Sequence, residues 1–131
     1  MFIRFISVET DARSQVAAGI FVAAYRLWYG TAALPDYECE CLRELLRWFD
    51  IYLPEPDRFS RSTRYYQKSR GICWFRSSAT EHIRKAWEMA AILERNDMLI
   101  RMVKSERVGY VVYEDAYQVV AEPFADMRSL K

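Results

Sequence analysis

The sequence predicts an α+β domain in which three helices pack on a mixed, mostly antiparallel sheet of about five strands. Two patterns lead to this prediction. In three segments, apolar residues recur at three- and four-residue steps, which is the periodicity of one helix face. Short runs rich in Val, Ile, Tyr and Phe, bounded by Gly, Asn and Asp, are typical of strands. The length of 131 residues and the apolar content of 52% suit a single domain with its own core, residues 1–131.

The first half of the chain predicts one strand and two helices. The segment from Phe2 to Val8 is rich in Ile, Phe and Val and predicts the first strand. The first helix follows with Val16 and Ala17 on its apolar face, and Gly30 ends it. Pro35 suits the first turn of the second helix, whose predicted buried face comprises Leu42, Leu45, Leu46 and Phe49.

The second half predicts four strands and one helix. Ile72 to Phe75 is the first of these strands, and Ser78 with Glu81 fits a capping box that begins the third helix. We expect that helix to bury Ile83, Ala86, Trp87, Ala90 and Leu93. The remaining strands are predicted at Met98 to Val103, Tyr110 to Tyr113 and Tyr117 to Ala121. The order is β-α-α-β-α-β-β-β, and short connections predict an antiparallel meander of the last three strands.

Charge is distributed unevenly, although the formal net charge is only +1. Residues 36–57 carry seven acidic and two basic side chains, whereas residues 58–76 carry six basic and no acidic ones. The basic part overlaps a connector, residues 54–71, and a polar tail begins at residue 123. Five of the six cations are Arg, whose planar guanidinium group suits phosphate and carboxylate.

Aromatic side chains are interleaved with these cations, a composition typical of protein interfaces and of base-stacking surfaces. We therefore expect an interaction site for protein or nucleic acid, formed by Arg58, Arg61, Arg64, Tyr65, Tyr66, Lys68, Arg70 and Trp74. A third interpretation is that the segment only neutralises the acidic second helix. The pI of about 7.7 weighs against nucleic acid, because domains that bind phosphate backbones usually exceed about 9.

No segment matches a catalytic or nucleotide-binding motif. The chain has no Walker A sequence, dinucleotide-binding Gly-rich turn, nucleophile elbow or zinc-protease helix. His82 is the only histidine, and a pair with Cys73 is the one nucleophile arrangement to consider. No third residue that would orient the pair can be named. We therefore predict no catalytic residues and expect His82 to be at the surface or half-buried.

The remaining candidate ligands do not predict a metal site or cofactor. Cys39 and Cys41 are two residues apart on a predicted helix, so their side chains point about 200° apart and cannot share one ion. Glu114 and Asp115 are adjacent at a predicted hairpin turn, where such residues favour the turn geometry. Three cysteines do not form a disulfide framework, and we expect reduced, partly buried thiols.

Two further patterns concern location and assembly. No apolar run reaches the roughly 18 residues of a membrane span, and no secretory signal is recognisable, so we expect a cytoplasmic protein without a membrane partner. Trp28 and Trp87 fall on predicted core faces, whereas Trp48 does not. Both faces of the C-terminal hairpin are partly apolar, so we favour a homodimer through its outer face or edge strand.

The C-terminal run from Gly109 to Asp115, continued from Gln118 to Phe124, resembles a family of short bacterial proteins. The run Ile72 to Phe75 and the acidic, Leu-rich second helix extend this resemblance over most of the chain. It implies a bacterial or phage origin and brings no activity and no site residues.

We therefore expect a non-enzymatic protein–protein interaction module, as small bacterial or phage adaptor, immunity and inhibitor proteins are. One alternative is a nucleic-acid-binding accessory protein that uses residues 58–76. The weaker alternative is a small enzyme with a pocket near Cys73 and His82.

Overall fold

Residues 1–10, 17–30, 34–57 and 71–124 are described by the computed structural model. They form three helices and a six-stranded sheet. The strands are β1 (Phe2–Thr10), β2 (Ala17–Gly19), β3 (Ile72–Arg76), β4 (Ile100–Ser105), β5 (Tyr110–Glu114) and β6 (Gln118–Glu122), and the helices are α1 (Ile20–Trp28), α2 (Asp36–Tyr52) and α3 (Thr80–Arg95). The predicted α+β class is confirmed, with three helices and five principal strands. The short β2 is additional and occupies residues that we expected to begin the first helix.

Strand β1 is central because both of its sides are paired. On one side β4 pairs with it from Phe2 to Ser7. On the other side β3 pairs with Phe2 and Ile3, and β2 pairs further along at Ile6 and Thr10. β6 then pairs with β3, and β5 pairs with β6. The principal strands therefore lie in the order β4-β1-β3-β6-β5, and every pairing between described strands is antiparallel.

The predicted meander of the last three strands is wrong in one member. β5 and β6 form the expected hairpin, but β4 pairs with β1, at the opposite side of the sheet. The reason is that α3, which connects β3 to β4, carries the chain to the opposite side of β1. β3 and β4 flank β1 and are both antiparallel to it, so they run parallel to each other without touching, as in a split β-α-β unit. The parallel pairing of the expected mixed sheet is therefore not present among the described strands.

Alternation along the strands gives the sheet two apolar faces. One face packs under the helices, with Ile3, Phe5 and Phe75 in contact with the main core. The predicted face of α2 is confirmed, and it is buried through Leu42, Leu45, Leu46 and Phe49. The alternate residues form a second buried cluster of Ile72, Trp74, Val108, Val119 and Ala121. Trp74, which we expected in an interaction site, is 3% exposed within that cluster.

The buried face of α3 is rotated relative to our prediction. It comprises His82, Ala86, Met89, Ala90, Ile92 and Leu93. Trp87 lies at its flank, 47% exposed with its ring against Phe5, which corrects its predicted core position. Trp48, predicted off the core face, is half-buried against the main core. No described helix is long and apolar enough to cross a membrane.

Candidate functional site

An open groove lies where α2 ends, α3 begins and the β5–β6 hairpin turns. Its volume is about 430 Å³. It is lined by Trp48, Tyr52, Ser78, Thr80, Glu81, His82 and Tyr117. We call these residues the corner groove. Four of the seven carry aromatic rings, and the other three contribute hydroxyl or carboxylate groups.

The aromatic side chains come from three separate elements. Trp48 and Tyr52 are four residues apart on the last turns of α2, so they share one side of that helix, with ring centroids 5.1 Å apart. His82 lies in the first turn of α3. Tyr117 directly precedes β6, at the end of the hairpin turn. The groove therefore depends on the packing of both helix ends against the hairpin.

The four rings form a continuous row. Tyr117 stacks on His82 with centroids 4.4 Å apart, and His82 meets the Trp48 ring edge-on at 4.8 Å. Tyr52 continues the row beyond Trp48. His82 is only 4% exposed, whereas Tyr52 and Tyr117 are 54% and 39% exposed. Thus a buried imidazole supports two tyrosine rings that remain open to solvent.

His82 also fixes the end of α2. Its Nε2 lies 2.9 Å from the carbonyl oxygen of Tyr52. A carbonyl only accepts, so Nε2 carries the proton and donates. The last carbonyls of a helix lack partners within the helix, so this bond satisfies one of them. Our expectation of a surface or half-buried His82 is therefore corrected.

The hairpin turn is held by Asp115. Its Oδ1 accepts hydrogen bonds from the backbone N–H groups of Tyr117 at 2.8 Å and Gln118 at 3.1 Å. Its Oδ2 accepts from the Tyr113 hydroxyl at 2.8 Å and from Gln118 Nε2 at 3.0 Å. Burial acts to raise the pKa of Asp115, but these hydrogen bonds outweigh it and lower the pKa. The predicted role of this residue in the turn is confirmed.

A second contact joins the turn to α2. Gln118 is 2% exposed, and its Nε2 donates to the carbonyl oxygen of Pro54 at 2.6 Å. Arg76 joins the turn to β3, because its Nε donates to the carbonyl oxygen of Asp115 at 2.7 Å and its guanidinium lies 3.4 Å from Glu114. One cation of the basic segment 58–76 is therefore paired inside the protein.

Among the described residues around the groove, acidic groups outnumber basic ones. Arg84 pairs with Glu81, and Lys85 lies 3.8 Å from Glu88. The Lys85 ammonium is also 5.6 Å from the centre of the Trp48 ring. Within the described part of the chain, Glu55, Asp57 and Asp115 form no ion pair. Glu55 directly follows Pro54 in the chain, and Asp115 is hydrogen-bonded to Tyr113 and Tyr117.

Most of the predicted interaction site lies outside the described residues. This applies to Arg58, Arg61, Arg64, Tyr65, Tyr66, Lys68 and Arg70. The acidic second helix does have one described cationic contact, because Glu38 in its first turn accepts hydrogen bonds from Arg95 and Asn96. These bonds lower the pKa of Glu38.

Cys73 and His82 are not brought together by any described contact, and Cys73 does not line the groove. Burial raises the pKa of the Cys73 thiol to about 11, although the residue as a whole is exposed. A thiol whose pKa is raised above its ordinary value is protonated at neutral pH and is a poor nucleophile. Cys39 and Cys41 are partly buried, as expected, but the expectation is wrong for Cys73, which is exposed. No group of three potential metal ligands occurs among the described residues.

The outer edge of the hairpin exposes Tyr110 and Val111 by nearly half. A bulge interrupts β5 between Val111 and Tyr113, and the other edge strand, β4, carries exposed Arg101 and Lys104. Bulges and charges on edge strands oppose pairing with another chain. The homodimer stays a prediction, and these features favour the outer face over the strand edge.

Comparison with known proteins gives no further guide. No protein-family model matches the chain, and neither a curated protein nor a solved structure matches it significantly. The candidate function is therefore argued from the corner groove and its surroundings.

Proposed function

We propose that this protein is a non-enzymatic protein–protein interaction module whose corner groove receives part of a partner protein. The observation that carries the proposal is the pair of exposed tyrosines, Tyr52 and Tyr117, supported on the buried ring of His82 and the half-buried ring of Trp48. Aromatic residues dominate the energetics of protein interfaces, and they do so in well-packed pockets. The adaptor, immunity and inhibitor roles of small bacterial or phage proteins belong to this class.

The anchoring of the groove supports recognition of a partner with little rearrangement. Tyr52 is the last residue of α2, and its carbonyl is bonded to His82, while the carbonyl of the nearby Pro54 is bonded to Gln118. The turn before Tyr117 is closed by Asp115. A preorganised aromatic surface loses less conformational entropy on binding than a mobile one. The two tyrosines are therefore suited to act as fixed anchors.

Catalysis is less well supported than binding at the same groove. Ser78 and Thr80 supply hydroxyl groups, but neither is hydrogen-bonded to His82 in the described structure. A nucleophile needs a base within hydrogen-bond reach. The lack of such a hydrogen bond and the raised pKa of the Cys73 thiol favour a binding surface over a catalytic site.

Nucleic acid is also less well supported by the described residues. They carry sixteen acidic and eleven basic side chains, a net charge of −5. Affinity for nucleic acid rests mainly on Lys and Arg contacts to phosphate. The cations of residues 58–70 lie outside the described part, so the nucleic-acid alternative is tested by experiment.

Site-specific photo-crosslinking tests the proposal. Tyr52 and Tyr117 are replaced one at a time with p-benzoylphenylalanine, and Tyr29, which directly follows α1 and is 78% exposed, serves as the matched control position. Crosslinking is performed in cells that express the protein naturally. Each lysate is then divided into a nuclease-treated half and an untreated half. We expect one discrete protein adduct from both groove positions, resistant to nuclease and absent at Tyr29.

Two outcomes contradict the proposal. If nuclease treatment removes the adduct, the groove contacts nucleic acid and not a protein. Equal adducts at Tyr29 and at the groove positions, or adducts only at Tyr29, show that the groove is not the contact surface.

A further inference from the structure

We infer that the corner groove accepts a basic side chain, arginine above all, from an extended segment of the partner protein. This inference rests on the proposed function and specifies the chemistry of the partner. Three observations support it. They are the row of aromatic rings, the Lys85 ammonium that already lies against one of those rings, and the excess of acidic groups among the described residues beside the groove.

The faces of aromatic rings attract cations, and Trp and Tyr are the strongest of the common partners. The Trp48 ring already holds the Lys85 ammonium at 5.6 Å from its centre. Tyr117 uses one face to stack on His82, so its opposite face is the one available to a ligand. Tyr52 is more than half exposed at the other end of the row. The groove therefore offers tyrosine faces that none of the chain's described cations covers.

The charges beside the groove favour the same ligand. Three described cations near the groove are each paired: Arg76 with Glu114, Arg84 with Glu81 and Lys85 with Glu88. In contrast, Glu55, Asp57 and Asp115 have no cationic partner among the described residues. A surplus of negative charge is complementary to a positive side chain and steers its approach.

Glu55, Asp57 and Asp115 lie within five residues of Tyr52 or Tyr117 along the chain, although none of them lines the groove. Glu55 follows Pro54, whose carbonyl is bonded to Gln118 beside Tyr117. Asp115 bonds the backbone N–H of Tyr117. The pKa of Tyr113 is raised chiefly by its hydrogen bond to Asp115, and the Asp57 carboxylate adds to that rise. We call Glu55, Asp57 and Asp115 the acidic rim.

An anionic ligand fits less well. The first turn of α3 and the hydroxyls of Ser78 and Thr80 would favour an anion. However, Glu81 occupies that same first turn and lines the groove, and the acidic rim adds to its charge. Arg84 offsets the charge of Glu81, so repulsion from the three carboxylates of the acidic rim is what opposes a phosphate or a carboxylate ligand.

Because His82 is the only histidine in the chain, its ring protons give a single, unambiguous NMR reporter at the centre of the groove. The protein is titrated at constant pH with a capped Gly-Gly-Arg-Gly-Gly peptide. Matched peptides carry citrulline, which has nearly the same shape without charge, or glutamate in place of arginine. We expect a saturable shift of the His82 signals with arginine and binding about fivefold to thirtyfold weaker with citrulline.

A double variant tests the acidic rim. Glu55→Gln with Asp57→Asn removes two exposed charges, and we expect arginine-peptide binding to weaken about twofold to fivefold. Glu94→Gln, an exposed change near the other end of α3, is the control and leaves binding unchanged. Equal binding of arginine and citrulline, stronger binding of glutamate, an inert double variant or no saturable shift at millimolar peptide each overturns the inference.

The two proposals fail in distinguishable ways. A groove-dependent, nuclease-resistant adduct without any preference for arginine retains the proposed function and rejects a basic ligand. Loss of the adduct rejects the groove as a docking site, whatever the peptides do.

Discussion

The two ends of α2 are both tied to other elements, but by different kinds of contact. At the N-terminal end, Glu38 bonds to Arg95 and Asn96 at the far end of α3. At the C-terminal end, backbone carbonyls of Tyr52 and Pro54 accept from the buried side chains of His82 and Gln118. The first contact is largely ionic and reaches solvent through a half-exposed Arg95, and the second is neutral and shielded.

The difference explains why the corner groove lies at the C-terminal end. Exposed ion pairs are weak and are screened by salt. Buried neutral hydrogen bonds contribute about 0.5–1.5 kcal/mol, and leaving such a carbonyl without its partner costs about 1–3 kcal/mol. An aromatic row at the shielded end is therefore held in place by the stronger of the two kinds of contact.

The largest effect is expected at His82. His82→Ala removes both the ring from the aromatic row and the hydrogen bond to Tyr52, and we expect a loss of about 2–4 kcal/mol of unfolding free energy. His82→Phe restores ring volume without the donor and should lose about 1–3 kcal/mol. Urea denaturation measures both, with Thr80→Ala, an exposed change in the same turn, as a control within about 0.5 kcal/mol of the wild type.

The comparison of the two substitutions separates packing from hydrogen bonding. If His82→Phe is as stable as the wild type, the bond to the Tyr52 carbonyl does not hold the end of α2. If Thr80→Ala is as unstable as His82→Ala, the whole first turn of α3 is sensitive, and the role assigned to the imidazole is wrong.

A smaller loss is expected at Gln118. Gln118→Met keeps the side-chain length and removes the donors to Pro54 and Asp115, so we expect about 1–2 kcal/mol lost in urea denaturation. Tyr113→Phe removes a bond to the same carboxylate but leaves the link to α2 intact, and it should cost less than Gln118→Met. The opposite order would show that the turn matters more than its connection to the helix.

Local patterns predicted those parts of the fold that depend on neighbouring residues. The buried face of α2 follows from the spacing of Leu42, Leu45, Leu46 and Phe49, which any helix would place on one side. The pairing of β4 with β1 depends on where α3 returns the chain, and nothing in the sequence around Ile100 encodes that. Short connections predicted β5 beside β6 correctly and β4 beside β5 wrongly.

The corner groove was harder to predict for the same reason. Trp48 and Tyr52 share a helix side, and that part is visible in the sequence. His82 is 30 residues from Tyr52, and a histidine in a first helical turn is equally compatible with exposure and burial. Its one local signal was the pattern of α3, in which the structure keeps the predicted Ala86, Ala90 and Leu93 but buries His82, Met89 and Ile92 in place of Ile83 and Trp87.

The finest distinction concerns two carboxylates, Asp115 at the turn and Glu38 at the other end of α2. Both have lowered pKa values in the folded protein. Each therefore stabilises the fold above its ordinary pKa, 3.8 for Asp and 4.5 for Glu, and loses that contribution as the pH falls through the lower folded value. Asp115→Asn and Glu38→Gln should each flatten the decline in stability across this acidic range, measured by urea denaturation.

Salt separates these two carboxylates at neutral pH. Glu38 binds a cation, so in about 1 M salt, where the Debye length is about 3 Å, the difference between Glu38→Gln and the wild type should shrink to what the neutral bond from Asn96 contributes. Asp115 accepts only from neutral donors at close range, so the destabilisation by Asp115→Asn should persist in salt. If salt removed both differences, the turn would be held by charge as the N-terminal end is, and the contrast between the two ends of α2 would no longer account for the position of the groove.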